Sequence, residues 1–283
     1  MTPSTFSIVA FDPPTASFGI AVQSKFLAVG AVVPWALAGI GAIATQARAN
    51  TTYGPEGLAL LESGMSAEDV VKRLTDADRD RDQRQLGVVD RLGHSAAYTG
   101  RACLDWAGQR CGENFTCQGN ILAGPAVVEG MARGYTDAAG PFPERLVAAL
   151  AAGQEAGGDR RGKESAALLV VREKGGYAGL SDRAVDLRVD DHPDPISELA
   201  RILALHRLYF SPVRKEDAVP LDGVLKQEMA EGLRALGYES GSFEEALARF
   251  VATENFESRG QGAGFIDRPV LNYFREKVRS LRR

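Results

Sequence analysis

Along the first fifty residues, apolar positions arrive in short blocks separated by turn residues, and the blocks come in pairs. Residues 5–12 and 18–25 flank Pro13-Pro14, and residues 30–35 and 39–46 repeat the arrangement, so two consecutive β-hairpins are predicted. Positions 8–11 and 166–171 are apolar without alternation, as in a strand covered on both faces. The period then becomes helical. One helix is predicted from about Pro55 to Gly64, with proline in its first turn and glycine past its last. The next opens at Ser66, with Asp69 as a variant capping box, and turns Val70, Val71 and Leu74 inward. Strands over 85–90 and 94–99 follow, then an aperiodic stretch over 100–114 that reads as a loop, then a short strand over 116–122. Helices over 125–135 and 143–155, strands over 166–171 and 184–189, and a helix introduced by Asp194 and Pro195 complete the series.

Strands in sequential hairpins with helices in pairs exclude a doubly wound parallel sheet, in which single helices alternate with strands. The fold class expected is α+β: a four-layer αββα sandwich of two antiparallel sheets with helix layers outside, spanning residues 1–210. The proline-bearing charged segment 211–220 reads as a linker. Residues 221–283 hold three helical segments, a small domain with little core of its own. The apolar stripe Leu225, Met229, Leu233 and Leu236 is expected to face a second subunit, making the protein a homo-oligomer.

Composition narrows the function. The chain has 283 residues and a net charge of -4, with no basic stripe, which excludes nucleic acid as the expected partner. No apolar run reaches the roughly 18–20 residues of a bilayer span, and no basic segment followed by an apolar run marks a signal peptide, so a cytoplasmic location is expected. Cys103, Cys111 and Cys117 lack a fourth ligand at zinc-type spacing and read as reduced structural thiols. No metal and no cofactor is expected, since phosphate-loop and zinc-helix motifs are absent.

The candidate chemistry lies at strand ends. Thr5 opens the first strand, and a hydroxyl there, with its own backbone amine as base, is one way to hydrolyse an amide without a histidine. Lys25 ends the second strand, where its charge would tune the nucleophile. Polar clusters break the apolar text at 45–50, 84–85, 118–120 and 158–162. Asn120 would donate to an oxyanion, and Gln46, Asn50, Arg84, Gln118, Asp159 and Arg160 would orient an amide or carboxylate substrate.

These same stretches carry a resemblance. Thr5-Phe6-Ser7-Ile8-Val9-Ala10, the run 19–30, Arg84-Gln85-Leu86-Gly87-Val88-Val89-Asp90, Gln118-Gly119-Asn120-Ile121-Leu122, Gly157-Gly158-Asp159-Arg160-Arg161-Gly162 and Val189-Asp190-Asp191-His192-Pro193 are similar, in order, to the bacterial domain-of-unknown-function family 1028, grouped with the N-terminal-nucleophile (Ntn) hydrolases. The resemblance covers about residues 4–209. Residues 215–283 resemble an appended peptidoglycan-binding domain, chiefly through 264–276. It implies an αββα sandwich and a hydrolase of a C–N bond in a small amide-like metabolite. Thr5 would be the nucleophile; with Met1-Thr2-Pro3-Ser4 ahead of it, either the chain cleaves itself between Ser4 and Thr5 or Thr5 lacks the free α-amine that this chemistry uses. A non-catalytic ligand-binding protein on the same scaffold is the alternative, and cell-wall glycan is a further partner the second resemblance implies.

Overall fold

The computed structural model describes residues 5–239 and 241–281. Residues 1–4, on which the expected cleavage turns, lie outside them. The chain divides into two compact units, Met1–Leu203 and Ala204–Arg283.

In the first unit, β1 (Thr5–Asp12) and β2 (Ser17–Ser24) form the predicted hairpin, with Thr5 opposite Ser24. The second hairpin is shorter than its text. Only β3 (Pro34–Leu37) and β4 (Gly41–Ala47) pair, and Val29–Ala31 is a 3-10 turn. The turn is set by tertiary contacts: Val29 N–H donates to Ser165 Oγ at 3.0 Å, and Gly30 lies so close to Ala167 that a Cβ would sit 2.5 Å from it. Helices α1 (Tyr53–Glu62) and α2 (Ala67–Ala77) follow, α2 capped by Ser66 as its sequence predicts. β5 (Arg84–Asp90) and β6 (Ser95–Thr99) complete a four-stranded antiparallel sheet in the order β3-β4-β5-β6.

The stretch read as a loop contains a strand, β7 (Gly108–Gly112), on the edge of the other sheet. Its exposed polar residues show no alternation, and pairing with β8 (Phe115–Asn120) alone makes it a strand. After α3 (Pro125–Asp137) and α4 (Phe142–Glu155) come β9 (Ser165–Val171) and β10 (Arg183–Val189), giving a six-stranded antiparallel sheet in the order β10-β9-β2-β1-β8-β7. The first residues of α5 (Pro195–Phe210) add Ile196, Leu199 and Leu203 to the core over this sheet.

The layers follow from parity. On β1, Phe6, Ile8 and Ala10 point into a core made with α3 and α4, whereas Val9 points into a second core shared with Phe18, Ile20, Val22, Ala42 and Ala44 from both sheets. Ile43, Leu86 and Val88 turn the other way, onto Tyr53, Leu61, Val70 and Leu74 of α1 and α2. The unit is an αββα sandwich.

The second unit contains α6 (Gly223–Ala235), α7 (Phe243–Thr253) and α8 (Arg268–Ser280). It also contains two short strands, β11 (Ala218–Pro220) and β12 (Phe265–Asp267), which pair with each other. The supposed linker thus supplies a strand, because Pro220 lies at an edge where a missing N–H costs nothing. The stripe read as a subunit interface is corrected. Leu225, Met229 and Leu233 are buried in this unit's own core with Phe250, Phe256, Val270 and Phe274, and Leu236 packs against it. A stripe looks the same in sequence whether its partner is another chain or a neighbouring helix.

Candidate active site

Register places a row of polar side chains across four adjacent strands. Asn120 of β8 lies opposite Thr5 of β1, Thr5 opposite Ser24 of β2, and Ser24 opposite Ser165 of β9. Residues in register share a face, and Ser7, two residues from Thr5, reaches Gln46 of the other sheet, so the row faces the space between the sheets. One step deeper are Gln118 and Ser7, then Val22 and Ala167. The space is polar at the β1–β8 end and apolar beyond.

The polar end is a closed hydrogen-bond network. Ser7 Oγ donates to Gln46 Oε1 at 2.5 Å and accepts from Gln118 Nε2 at 2.7 Å. Gln46 Nε2 reaches Gln85 Oε1 at 2.8 Å and the Thr5 carbonyl at 3.3 Å. The Gln85 carbonyl oxygen also accepts from Asn120 Nδ2 at 3.0 Å, while its amide nitrogen donates to Gly119 O at 2.8 Å and Thr99 Oγ1 at 2.9 Å. Thr5, Ser7, Gln46, Gln85 and Gln118 are fully buried, and the Thr5 hydroxyl shares a 3.2 Å hydrogen bond with Ser24. In this low-dielectric layer each amide is locked in one orientation by its neighbours.

The nine residues singled out from sequence separate into three groups. Thr5, Gln46, Gln118 and Asn120 meet in the network. Lys25, Asp159 and Arg160 lie at the same end of the sheet but outside it. Lys25 is 43% exposed and directs its ammonium to Glu164, 3.5 Å away, and to Lys163 O; among the described residues it makes no hydrogen bond to Thr5. Its expected tuning of Thr5 is therefore not supported by contact: β2 ends at Ser24, and the bend that follows carries Lys25 to the 163–164 segment. Asp159 is buried as a loop clamp. Its Oδ2 accepts from Lys25 N–H at 3.0 Å and its Oδ1 from Arg161 N–H at 2.9 Å. Arg160 is exposed and donates to Asp105 O at 2.6 Å.

Asn50 and Arg84 are the third group and lie elsewhere. Arg84 pairs in register with Ala47, on the helix-facing side of its sheet, where its Nε donates to Asp78 Oδ2 at 2.8 Å. Tyr53 OH and Asn50 Nδ2 reach the same carboxylate at 2.9 and 3.3 Å. Burial would raise the Asp78 carboxyl, but hydrogen bonds from Arg84, the Asp80 N–H, Tyr53 and Asn50 outweigh it and hold its pKa down to about 2. Burial first, and then the bond to Asp78, push the Tyr53 phenol well above its ordinary range. This cluster bolts α1 and α2 to β5 and does not line the inter-sheet space. Gln85, adjacent to Arg84, is the member that a choice for charge misses, and Ser7 and Ser24 are the others. Ser7 was visible as a single polar residue inside an apolar strand, whereas Gln85 and Ser24 sit in polar strand-end runs beside Arg84 and Lys25.

The family model described as "Family of unknown function (DUF1028)" matches residues 5–199, from the nucleophile candidate to α5. The chain belongs to this family. Within the DUF1028 unit, the match spans every strand and helix that builds the polar row. Residues 209–274 match the model described as "Putative peptidoglycan binding domain". Among solved structures, the crystal structure of protein SPO2555 from Silicibacter pomeroyi, also assigned to DUF1028, is similar at 34% identity. It superposes with a TM-score of 0.66 over 72% of this chain and 89% of that one. No curated protein matches the chain. No helix among the described residues is long and apolar enough to cross a membrane.

Proposed function

We propose that the DUF1028 unit, residues 1–210, hydrolyses a C–N bond in a small amide-like metabolite, with Thr5 as nucleophile. The observation that carries this reading is the position of the Thr5 hydroxyl, centred in a row of polar side chains on the face that looks towards the other sheet, beside the amides of Asn120, Gln118 and Gln46. In this mechanism Thr5 Oγ1 attacks the substrate carbonyl, its proton passes to the Thr5 α-amine, and that amine returns it to the departing nitrogen. Water then hydrolyses the threonyl ester, releasing acid and restoring the hydroxyl. Asn120, its amide fixed by Gln85, supplies an oxyanion donor. The α-amine exists only in a chain beginning at Thr5. The test compares that chain with the full chain on a panel of N-acyl amides. Turnover by the trimmed protein and its loss in Thr5→Ala are expected, and equal activity in Thr5→Ala removes Thr5 from the mechanism.

One observation favours a second reading. Thr5 is fully buried and its hydroxyl is already bonded to Ser24, as in a binding protein that uses the scaffold without the nucleophile. Intact mass of purified protein separates the two, a product starting at Thr5 supporting the enzyme. For residues 221–283, joined through 211–220, contact with cell-wall glycan is proposed from the family match. An open groove of about 470 Å³ lined by Arg234, Tyr238 and Phe243 offers aromatic and polar groups suited to sugars. Absence of retention of the full chain on peptidoglycan counts against it.

A further inference from the structure

The loop joining α4 to β9 is built across the end of β1. Arg160 N–H donates to Ile121 O at 3.1 Å, one residue past Asn120, and Asp159 accepts from Lys25 N–H at 3.0 Å, one residue past Ser24. Asn120 and Ser24 are the two strand partners of Thr5, so the loop spans the point where β1 begins. It is rigidly made. Gly157 and Gly162 hold φ of +113° and +111°, which a side chain would strain, and the buried Asp159 ties the loop from inside. Four cations gather here, and three are matched by carboxylates: Lys25 with Glu164, Arg161 with Asp159, and Lys163 with Asp194. Among the described residues Arg160 has no carboxylate partner. It is exposed and spends one donor on the Asp105 carbonyl.

Resting on the reading of Thr5 as nucleophile, we propose that the substrate carries a carboxylate close to the scissile amide, as an N-acyl amino acid does, and that Arg160 receives it. A guanidinium offers a planar fork that suits a carboxylate and holds it in one orientation. A loop tied to both neighbours of Thr5 holds the Arg160 backbone at the end of the sheet where β1 begins.

The test uses two β-lactones of one acyl skeleton, one bearing a carboxylate and the other its primary carboxamide, on the chain beginning at Thr5. Thr5 Oγ1 opens the lactone at its carbonyl, the ring C–O bond breaks, and the freed alkoxide takes the threonine proton. The protein therefore gains the whole probe mass, which intact mass spectrometry reads. The carboxylate probe is expected to react about 10- to 100-fold faster, the range of a charge-assisted pair. That ratio is expected to collapse towards one in Arg160→Ala and Arg160→Gln and to survive in part in Arg160→Lys. Equal rates in the parent, or a ratio unchanged in Arg160→Ala, overturn the carboxylate assignment while leaving Thr5 as nucleophile. No acylation by either probe overturns the nucleophile, and the carboxylate assignment falls with it.

Discussion

A single amide, Gln85, holds the candidate site in its observed form. Its carbonyl oxygen accepts from Gln46 and Asn120, and its nitrogen donates to Gly119, Thr99 and Gly108. Gln85→Leu removes the acceptor that two buried amides share, and the donor that Gly119, Thr99 and Gly108 accept from, and is expected to cost about 2–4 kcal/mol in denaturant unfolding. Thr5→Ala is gentler. It removes one buried hydroxyl bond, so about 1 kcal/mol is expected alongside complete loss of turnover, whereas Thr5→Ser keeps a nucleophile. If the Thr5 amine is the base, the rate of the trimmed chain rises with pH as that amine loses its proton. Its midpoint is expected at or below about 8, since desolvation lowers an amine's pKa. A pH–rate profile flat through this range contradicts the amine as base.

Between elements, two devices set the geometry. The Asp78 cluster joins α1 and α2 to β5, and its carboxyl titrates at about 2, below the ordinary carboxylate value. A depressed folded pKa stabilises the fold above the unfolded value near 4, and this is lost as pH falls from about 4 to 2. Asp78→Asn is therefore expected to lower stability at pH 7 by about 2 kcal/mol, with the gap narrowing below pH 4 in paired thermal melts. The second device is Gly87 on β5, where a Cβ would stand 2.3 Å from Gln118 Oε1 and 2.8 Å from Thr116 Cγ2. Only glycine lets the two sheets close over that amide. Gly87→Ala is expected to cost about 1–3 kcal/mol and to break the Gln118–Ser7 hydrogen bond, seen as new amide shifts by NMR.

For the whole chain, the division falls inside α5, at Leu203–Ala204, and not at the proline-rich text that follows. Leu208 and Tyr209 pack on the core of the second unit, Tyr209 stacked on Phe256 at 5.3 Å, and the buried Arg259 donates to Ser211 O at 3.0 Å. A fragment of 204–283 is expected to unfold cooperatively. A fragment of 215–283 loses those contacts and is expected to melt at least about 10 °C lower, since each kcal/mol moves a domain of this size by about 4–8 °C. Equal melting temperatures would show that Leu208, Tyr209 and Ser211 contribute nothing to this core.

Most strands and helices of the first unit, their αββα layering and the polar groups at the strand ends were legible in the chain alone. Period and turn residues are local, and apolar text on both sides of a strand demands a cover on each. Tertiary structure decided which polar residues share a space. Arg84 and Gln85 are adjacent in the chain but face opposite layers, and only register shows that Gln85 meets Asn120 while Arg84 meets Asp78. It also turned Lys25 towards Glu164, made β7 a strand by pairing alone, and enclosed Leu225, Met229 and Leu233 within one chain. Each of these outcomes depends on a partner distant in sequence, which a local pattern does not encode.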